Sequence, residues 1–477
     1  MKSAIPVKAI VEAVDSRTSV ESAISAFAQD GQAAILDSSR SLDQRGRFSI
    51  LAVDPIAIVS LTGREPRDPL TELAERITKR CPVVAKGTDE IPFVGGWIGY
   101  LSYETGLPMH RISPQVDAGM AVPSARFGLH DAAAIYDHLL GRWFLTAIDW
   151  PTGLGLQRPP VSERLNQLRR RLDAAAHLEW EDPALPFAAQ PQSNMPRWAY
   201  TRKVRKVKQY IEAGDVYQVN LARRFTTQTN ASPVDLYLRL RKISPSSQAA
   251  LLMWDNTAIL SSSPELFLNL HDGHVVTRPI KGTRPRTGNP RADAAARREL
   301  ATSDKERAEL IMIVDLLRND LGRVCSYGTV RVTEPGEIEE HPQVFHRVAT
   351  IEGRLEHGKD WSDLLRATFP GGSVTGAPKI RAMQIIRELE PTRRGVYCGS
   401  IGWIGLDGSM SLNLAIRTMV QEGDSVDSYV GSGIVAESTP DAEYEETMAK
   451  ARGMLQALNA EELRATAPAV CEAVSAT

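Results

Sequence analysis

A single lysine stands in a segment whose composition suits it to nucleophilic chemistry. Lys281 lies within a predicted turn, residues 279–286, where two prolines fix φ and Gly282 lets a ligand approach the backbone closely. Three arginines within residues 278–286 are expected to lower the pKa of the lysine ammonium and to bind carboxylates. An amine with a lowered pKa can act as a nucleophile. The alternative for this segment alone is a surface turn with solvated basic side chains.

Two pairs of glutamates are candidate magnesium ligands. Glu306 and Glu309 precede an apolar run, and Glu443 and Glu446 follow a capping hydroxyl and Pro440 at the start of another predicted helix. Residues three apart share a helix face, and Mg²⁺ takes only one or two direct carboxylates while keeping several waters. Glu309 and Glu446 are the expected direct ligands, with Glu306 and Glu443 holding metal-bound waters. The alternative for each pair is a solvated helix face.

Three glycine-rich stretches are expected to complete a cavity. Residues 369–379 have the GxxxxG spacing of a phosphate loop, but Ala377 stands where such a loop needs lysine, so nucleotide binding is not expected. This loop is predicted to present N–H groups to an anion at the start of a helix whose apolar stripe is Ile380, Met383, Ile386 and Leu389. A hairpin around residues 407–408 leads to Arg417, which is predicted to end an alternating strand and bind a carboxylate in the cavity, although single arginines are usually surface residues. Residues 431–433 are the third stretch.

The elements that must position these residues fall into two predicted regions. Residues 1–185 are expected to form strands and hairpins, including a glycine-rich strand pair at 92–103, and to end with a helix. A stretch rich in Pro, Gln and Ser, residues 186–196, is the predicted linker. Residues 196–460 are predicted to form the catalytic region, and the alanine-rich residues 461–477 a disordered tail.

Composition excludes several functional classes. The 477 residues are 43% hydrophobic with a formal net charge of −2, so neither nucleic acid nor a membrane surface is an expected partner. The four cysteines are scattered without CxxC spacing, which indicates neither a zinc site nor disulfides and points to the reducing cytoplasm. Neither a signal sequence nor an uninterrupted apolar run of about 20 residues is found, so the protein is expected to be neither secreted nor membrane-spanning.

Six separated motifs together resemble those of the chorismate-utilising enzymes. They are residues 214–221, 263–265, 279–286, 313–323, 369–379 and 433–438. The resemblance spans nearly the whole chain. It implies a large α/β body of the α+β type, in which two big antiparallel sheets pack as a sandwich with helices outside, as in anthranilate synthase component I. It also implies that chorismate and Mg²⁺ bind in a deep cleft.

The family pattern implies roles for individual residues. It places the metal on Glu309 and Glu446. It places chorismate contacts on Gly282, Thr283, Tyr397, Arg417, Gly431 and Gly433. His346 matches the family histidine associated with the ring-carboxylate end of the site and with pyruvate loss, although a lone histidine is more often structural.

Three positions bear on which branch of the family the chain resembles. Gln218 stands where isochorismate and salicylate synthases have a lysine that activates water, so a water-adding reaction lacks its base. Lys281 stands where anthranilate synthases usually have alanine, and Asn220 where they tend to have valine. The resemblance therefore implies amination of chorismate at C4 to 4-amino-4-deoxychorismate, a precursor of 4-aminobenzoate and folate. The alternative is an anthranilate synthase, which uses the same scaffold with different regiochemistry.

The implied mechanism assigns a role to each reactive group. Lys281 attacks ring C2 and expels the C4 hydroxyl, and ammonia then displaces the lysine by bonding at C4. Glu265 protonates the leaving hydroxyl and later acts as base for the incoming ammonia. Mg²⁺ holds the ring carboxylate.

Two further expectations concern partners and regulation. Neither a nucleophile-elbow cysteine nor a further catalytic region is recognised, so ammonia is expected from a separate glutamine amidotransferase subunit. Residues 244–248 depart from the segment that forms a tryptophan pocket with residues 36–39 in many relatives, which leaves tryptophan binding and feedback control unassigned. A non-catalytic subunit that only binds an amidotransferase is the alternative from a different functional class.

Overall fold

The computed structural model describes most of the chain. The described residues are 5–29, 31–39, 46–63, 68–80, 83–85, 91–115, 122–151, 158–178, 180, 188–340 and 344–460. The predicted tail at 461–477 and part of the predicted linker, residues 186 and 187, lie outside them.

The strands of the described chain are, in order, β1 Ile5–Pro6, β2 Lys8–Val14, β3 Ala33–Asp37, β4 Phe48–Val53, β5 Ala57–Leu61, β6 Val83–Val84, β7 Gly96–Leu101, β8 Ala125–His130, β9 Ala132–Asp137, β10 Arg142–Asp149, β11 Gln192–Ser193, β12 Gln218–Gln228, β13 Gln248–Trp254, β14 Thr257–Ser263, β15 Leu266–His271, β16 His274–Arg278, β17 Ile280–Pro285, β18 Arg331–Glu340, β19 Val344–Arg354, β20 Gly376–Ala377, β21 Ser400–Gly405, β22 Met410–Asn413, β23 Thr418–Glu422 and β24 Ser425–Ile434.

The α-helices of the described chain are α1 Val20–Phe27, α2 Pro69–Arg80, α3 Val161–Ala175, α4 Arg197–Glu212, α5 Pro233–Ile243, α6 Pro290–Thr302, α7 Asp304–Gly322, α8 Trp361–Thr368, α9 Lys379–Leu389 and α10 Pro440–Ala457. None of the helices in the described ranges has both the length and the apolar character needed to cross a membrane.

Two large antiparallel sheets organise the described residues. The first has the order β11-β12-β24-β23-β14-β13-β3-β4-β9-β10-β2, with β20 also paired to β12. The second has the order β17-β19-β16-β15-β22-β21-β7-β8-β5, with β18 also paired to β19. Each sheet contains strands from both sides of the predicted linker, because β13 pairs with β3 in the first sheet and β21 pairs with β7 in the second. The division into residues 1–185 and 196–460 stays a prediction.

The first sheet is buried on both faces, which explains its long apolar strands. Along β3, Ala34 belongs to a buried cluster that includes Trp97 and Leu268 of the second sheet. The next residue, Ile35, belongs to a second cluster that includes Phe27 of α1. Successive strand residues point to opposite faces, so one face meets the other sheet and the other meets helices. The predicted sandwich with helices outside is confirmed.

Three local predictions were wrong. Residues 92–103 do not form a strand pair, because their one strand, β7, pairs with β8 from elsewhere in the chain. The glycine at 99 allows this close pairing, since a Cβ there would lie 1.9 Å from the Arg126 carbonyl oxygen of β8. Ile380 is 49% exposed rather than part of the buried stripe of α9. Thr439 occupies the N-cap position of α10 but makes no side-chain capping bond.

Candidate active site

Residues 280–285, expected to form a turn, are instead strand β17, which pairs with β19 along the edge of the second sheet. The register shifts between Ile280 and Thr283, and Gly282 has a left-handed φ of 81° within this bulge. A Cβ at Gly282 would lie 2.7 Å from Leu300 Cδ1 and 3.0 Å from Glu306 Oε2. Glycine is therefore required both by the backbone conformation and by the close approach of α7.

Lys281 is half-buried. It lies between the strands and the helices that form the site. Its Nζ is 3.5 Å from the Ser373 carbonyl oxygen. Burial lowers the pKa of Lys281 below its ordinary value; the Glu309 carboxylate opposes this shift and the Lys450 ammonium reinforces it. A larger fraction of neutral amine is available at neutral pH as a result, as a nucleophile requires.

The predicted cause of that pKa shift was wrong. The three arginines near Lys281 face carboxylates of the protein instead of the lysine. The pairs are Arg278 with Glu334 and Glu339, Arg284 with Glu299 and Glu306, and Arg286 with Asp293. The depression of the lysine pKa comes from burial, and the arginines bind the strand to its neighbours.

Glu265 is buried beside Lys281, in the short connection between β14 and β15. Burial raises its pKa to about 7, against the lowering effects of a hydrogen bond from Ser373 and of the Lys281 charge. The Ser373 hydroxyl donates to Glu265 Oε1 at 2.7 Å. A carboxyl group with this pKa can both give and accept a proton near neutral pH.

Ser373 was missed by sequence reasoning. Its carbonyl oxygen faces Lys281 and its hydroxyl binds Glu265, so one residue orients both reactive groups. The loop that carries it is held by β20, whose Ala377 pairs with Gln218 of β12. Its place in the glycine-rich stretch 369–379 was the available signal.

The floor of the site is formed by β12 and β24, where two glycines leave space. A Cβ at Gly431 would lie 2.8 Å from the Tyr397 hydroxyl and 2.9 Å from Asn220 Nδ2. A Cβ at Gly433 would lie 3.3 Å from Gln218 Cδ. Burial raises the pKa of Tyr397, so its hydroxyl remains protonated and able to donate.

Two buried amides on this floor are unsatisfied. Gln218 is fully buried, yet neither its amide nitrogen nor its amide oxygen has a hydrogen-bond partner among the described residues. The same holds for Nδ2 of Asn220. Leaving a buried polar group unpaired costs about 1–3 kcal/mol, so these amides are available for a polar ligand or for water.

Arg417 supplies a cation that has no partner among the described residues. It lies in a bend after β22 with a left-handed φ of 49°, and not in the strand where it was predicted. Within the described ranges its guanidinium makes neither a hydrogen bond nor an ion pair, and burial lowers its pKa. A half-buried, unpaired guanidinium is a binding group for a carboxylate.

Thr283 and His346 form a cross-strand pair on β17 and β19. Their Oγ1 and Nδ1 atoms are 2.9 Å apart, and His346 is buried. The histidine is therefore oriented by the residue next to Gly282. Its expected part in pyruvate loss stays a prediction.

The glutamate pairs lie on α7 and α10, which bring Glu309 and Glu446 into electrostatic range. Burial raises the pKa of Glu309, and the Glu446 charge adds to this effect. Burial also disfavours the charge on Glu446, but Lys450, 2.7 Å away, together with Ser432 and Lys305, outweighs it, and the pKa of Glu446 is lowered. Lys305 lies 3.9 Å from Glu309. The two helices therefore present an acidic pair partly neutralised by lysines.

Glu309 and Glu446 fit Mg²⁺ as direct ligands, whereas Glu306 and Glu443 already have protein partners. Across the part of the chain that the structure describes, no group of three or more His, Cys, Asp and Glu side chains is arranged to hold a metal ion. Glu309 and Glu446 suffice for an ion that takes two direct carboxylates and completes its shell with water and substrate. Glu306 is drawn to Arg284, and Glu443 accepts a hydrogen bond from Ser432, so both are already oriented.

Lys450 is a second residue that sequence reasoning missed. Its Nζ donates to the Gly431 carbonyl oxygen at 3.0 Å, and its charge acts on Lys281 and Glu265. The i, i+4 spacing from Glu446 on one helix face was the available signal. The structure thus brings together the predicted residues from β12, β17, β24, α7 and α10.

Comparison with known proteins identifies the family of this chain. A family model described as chorismate binding enzyme matches residues 32–456. The chain belongs to the chorismate-binding enzymes. It is 37% identical over 445 residues to aminodeoxychorismate synthase component 1 of Klebsiella aerogenes, covering 89% of this chain and 93% of the relative. It is 38% identical over 429 residues to anthranilate synthase component 1 of Thermus thermophilus, covering 87% of this chain and 90% of the relative.

Solved structures share the fold of this chorismate-binding enzyme. Anthranilate synthase component I from Streptococcus pneumoniae TIGR4 superposes with a TM-score of 0.74 at 31% identity, covering 87% of this chain and 93% of that one. The menaquinone-specific isochorismate synthase from Escherichia coli has a TM-score of 0.71 at 19% identity, covering 96% and 95%, and shows the fold alone. The predicted family and fold are confirmed. Similar identities to two kinds of synthase leave the residues of the site to distinguish between them.

Proposed function

We propose that this chorismate-binding enzyme is an aminodeoxychorismate synthase component 1, which converts chorismate and ammonia to 4-amino-4-deoxychorismate for 4-aminobenzoate and folate biosynthesis. The observation that carries the proposal is the pairing of Lys281 with Glu265 through Ser373. Burial lowers the pKa of the lysine and raises the pKa of the glutamate to about 7. Both shifts favour the neutral pair, an amine nucleophile beside a carboxylic acid.

This neutral pair supplies the groups that a two-step displacement needs. The Lys281 amine bonds to ring C2 as the C4–O bond breaks, and Glu265 gives its proton to the leaving hydroxyl, which departs as water. Ammonia then bonds to C4 and the C2–N bond to Lys281 breaks. The Glu265 carboxylate accepts a proton from the incoming nitrogen, which restores the acid for the next turnover.

The remaining residues bind and orient chorismate. Arg417 has an unpaired guanidinium for a substrate carboxylate, and Tyr397 can donate a hydrogen bond from its hydroxyl. Gly431 and Gly433 have no side chains, which leaves space for the chorismate ring to approach Gln218. Glu309 and Glu446 would hold Mg²⁺, which when bound supplies positive charge for the ring carboxylate.

A second protein is part of the proposal. Relatives of this chain are named component 1, and the reaction consumes ammonia. A separate glutamine amidotransferase subunit supplies that ammonia from glutamine. The enzyme works in the cytoplasm.

Anthranilate synthesis is the second candidate function. Relatives and a solved structure named anthranilate synthase component I are about as similar to the chain as those named for aminodeoxychorismate. Lys281 opposes it, because an enzyme that aminates C2 directly does not need an amine nucleophile there.

Product analysis separates these functions. The purified chain is incubated with chorismate, Mg²⁺ and ammonium salt, and a lyase that removes pyruvate is then added. We expect 4-aminobenzoate; fluorescent anthranilate as the main product would reject the proposal. A non-catalytic subunit would give neither product, so turnover by the isolated chain excludes that third possibility.

A further inference from the structure

Arg223 is a buried charge that the catalytic site does not use. It lies on β12 and is only 1% exposed. Successive strand residues alternate between faces, so Gln218 and Asn220 point to the candidate site while Arg223 points to the opposite face. That face is covered by α4 and α10, which pack against each other.

Aromatic rings and sulfur surround the Arg223 guanidinium. Its Cζ lies 4.1 Å from the centroid of the Tyr444 ring and 5.6 Å from that of Tyr200. Its Nη2 is 2.7 Å from Sδ of Met448, and its Nε has no partner in the described part of the chain. Burying a guanidinium without a carboxylate is unfavourable, and cation–π contacts offset only part of that cost.

Two of the groups that Arg223 contacts lie on the helix that carries three site residues. Tyr444 and Met448 lie on the inner side of α10, whereas Glu446 and Lys450 of the same helix face the site. The Glu443 and Arg223 charges both act on the buried Tyr200 hydroxyl, with opposite signs, so the guanidinium and the helix carboxylates share one electrostatic environment.

We propose that Arg223 is a positioning residue that sets the rotation of α10 and thereby the placement of Glu446 and Lys450 opposite Lys281 and Glu309. Its planar guanidinium stacks on Tyr444 and contacts Met448, four residues further along, so it holds two points one helical turn apart. A rotation of α10 about its own axis would break both contacts. The inference rests on the proposed function in so far as Glu446 is taken as a magnesium ligand.

A purely structural role gives the opposite expectation for one variant. Replacing a buried, incompletely paired charge by an apolar residue of similar volume is often neutral or stabilising. Arg223→Met would then leave the site and the stability unchanged. If Arg223 positions α10, the same variant keeps the fold and misplaces the carboxylate and the ammonium.

The test compares Arg223→Met and Arg223→Lys with wild type in the full-length chain. Calorimetric titration with Mg²⁺ is expected to show affinity weakened by about fivefold or more in both variants, with cooperative thermal unfolding retained. Lysine keeps the charge but loses the planar stack, so it is expected not to rescue. Hydrogen exchange of the α10 amides is expected to be faster in both variants and unchanged in β3 and β4. Unchanged magnesium affinity together with unchanged α10 exchange would overturn the inference.

Two further variants test the contact itself. Tyr444→Phe keeps the ring and should preserve magnesium affinity, whereas Tyr444→Leu should weaken it to the level of Arg223→Met. Combining Tyr444→Leu with Arg223→Met should add nothing, because both remove one shared contact; additive effects would contradict the inference. Arg164→Met, which removes a buried arginine of α3 paired with Asp131, should change thermal stability alone.

The exchange measurement distinguishes failure of this inference from failure of the proposed function. It needs neither metal nor substrate, so faster exchange confined to α10 supports the positioning role even in an enzyme that makes a different product. A wild-type chain without measurable Mg²⁺ affinity would reject the metal assignment, and α10 exchange alone would then decide the role of Arg223.

Discussion

The two halves of the candidate site are built differently. The Lys281–Glu265 half lies on strands and in buried connections, where desolvation moves the pKa of both groups toward neutrality. The half on α7 and α10 is more open: Glu446 is 43% exposed and paired with Lys450. In the first half, burial shifts the pKa of the groups that would transfer protons. In the second half, Lys450 helps to keep the pKa of Glu446 low, whereas Glu309 is more buried and its pKa is raised.

This comparison predicts a graded response to substitution. Residues of the buried half should affect the chemical step, because no solvent group can replace them. Residues of the open half should mainly affect the magnesium requirement, and the carboxylate-binding arginine should mainly affect KM.

The largest effect is expected for Lys281→Ala. Loss of the nucleophile should reduce formation of 4-amino-4-deoxychorismate by roughly 10³-fold or more, as removal of catalytic nucleophiles does in other enzymes. Direct attack of ammonia at C2 could then yield traces of 2-amino product. Mass spectrometry of wild type with chorismate but without ammonia should show an adduct on the peptide that holds Lys281.

A matched control is Lys206→Ala, which removes an exposed lysine of α4 and should leave activity unchanged. Equal rate and product for Lys281→Ala and wild type would remove both the covalent mechanism and the main reason to prefer amination at C4.

Glu265→Gln should reduce kcat by about 10²–10⁴-fold, the usual contribution of a general acid–base residue. The wild-type pH profile carries a second signature. The first step needs the acid form of Glu265 and the neutral form of Lys281, whose populations change with pH in opposite directions. Glu265→Gln keeps only the lysine ionisation, so the ratio of the wild-type rate of adduct formation to the variant rate should fall as the pH rises through 7. A ratio that does not change between pH 6 and 8 in single-turnover measurements would contradict this role.

Stability should also reflect the buried carboxyl group. The folded pKa of Glu265 lies above its ordinary value of 4.5, so its contribution to stability is fully present below pH 4.5 and is lost as the pH rises from 4.5 through 7. Glu265→Gln removes this ionisation. The variant should therefore gain about 1–3 kcal/mol relative to wild type between pH 4.5 and pH 8 in denaturant titrations. A parallel decline of both proteins would show that the carboxyl group is solvated.

Glu309→Gln and Glu446→Gln test the open half of the site. Each removes ligand charge with little change in volume, so the fold should survive while the magnesium concentration for half-maximal activity rises about tenfold or more. Glu445→Gln, an exposed neighbour on α10, is the control and should behave like wild type. An unchanged magnesium requirement in both ligand variants would mean that the glutamates are solvated helix faces.

The smallest effect is expected for Arg417→Lys. An ammonium keeps the charge but loses the planar pair of donors that binds a carboxylate, so KM for chorismate should rise about tenfold with kcat less affected. Steady-state kinetics would measure this. A change confined to kcat would place Arg417 in the chemical step instead.

Local pattern was sufficient for much of the fold. The helix that ends the first predicted region, the helix that begins near Pro440, and the shared face of Glu306 and Glu309 agree with prediction because each depends on periodicity within a short segment. The turn at 279–286 did not agree. Its glycine and prolines indicate a turn locally, but pairing with β19, more than sixty residues away, makes it a bulged strand.

The sequence by itself determined the family and the glutamate spacing, because these follow from residue types and their order along the chain. It also indicated most residues of the candidate site, but not Ser373 or Lys450. Only the tertiary structure decided how those residues behave. The arginines near Lys281 form ion pairs with carboxylates of α6, α7 and β18, and burial raises the pKa of Glu265. Arg223 contacts Met448 of α10, more than two hundred residues later in the chain. A pKa and a side-chain contact depend on which groups lie nearby in space, and that depends on packing between segments distant in the sequence.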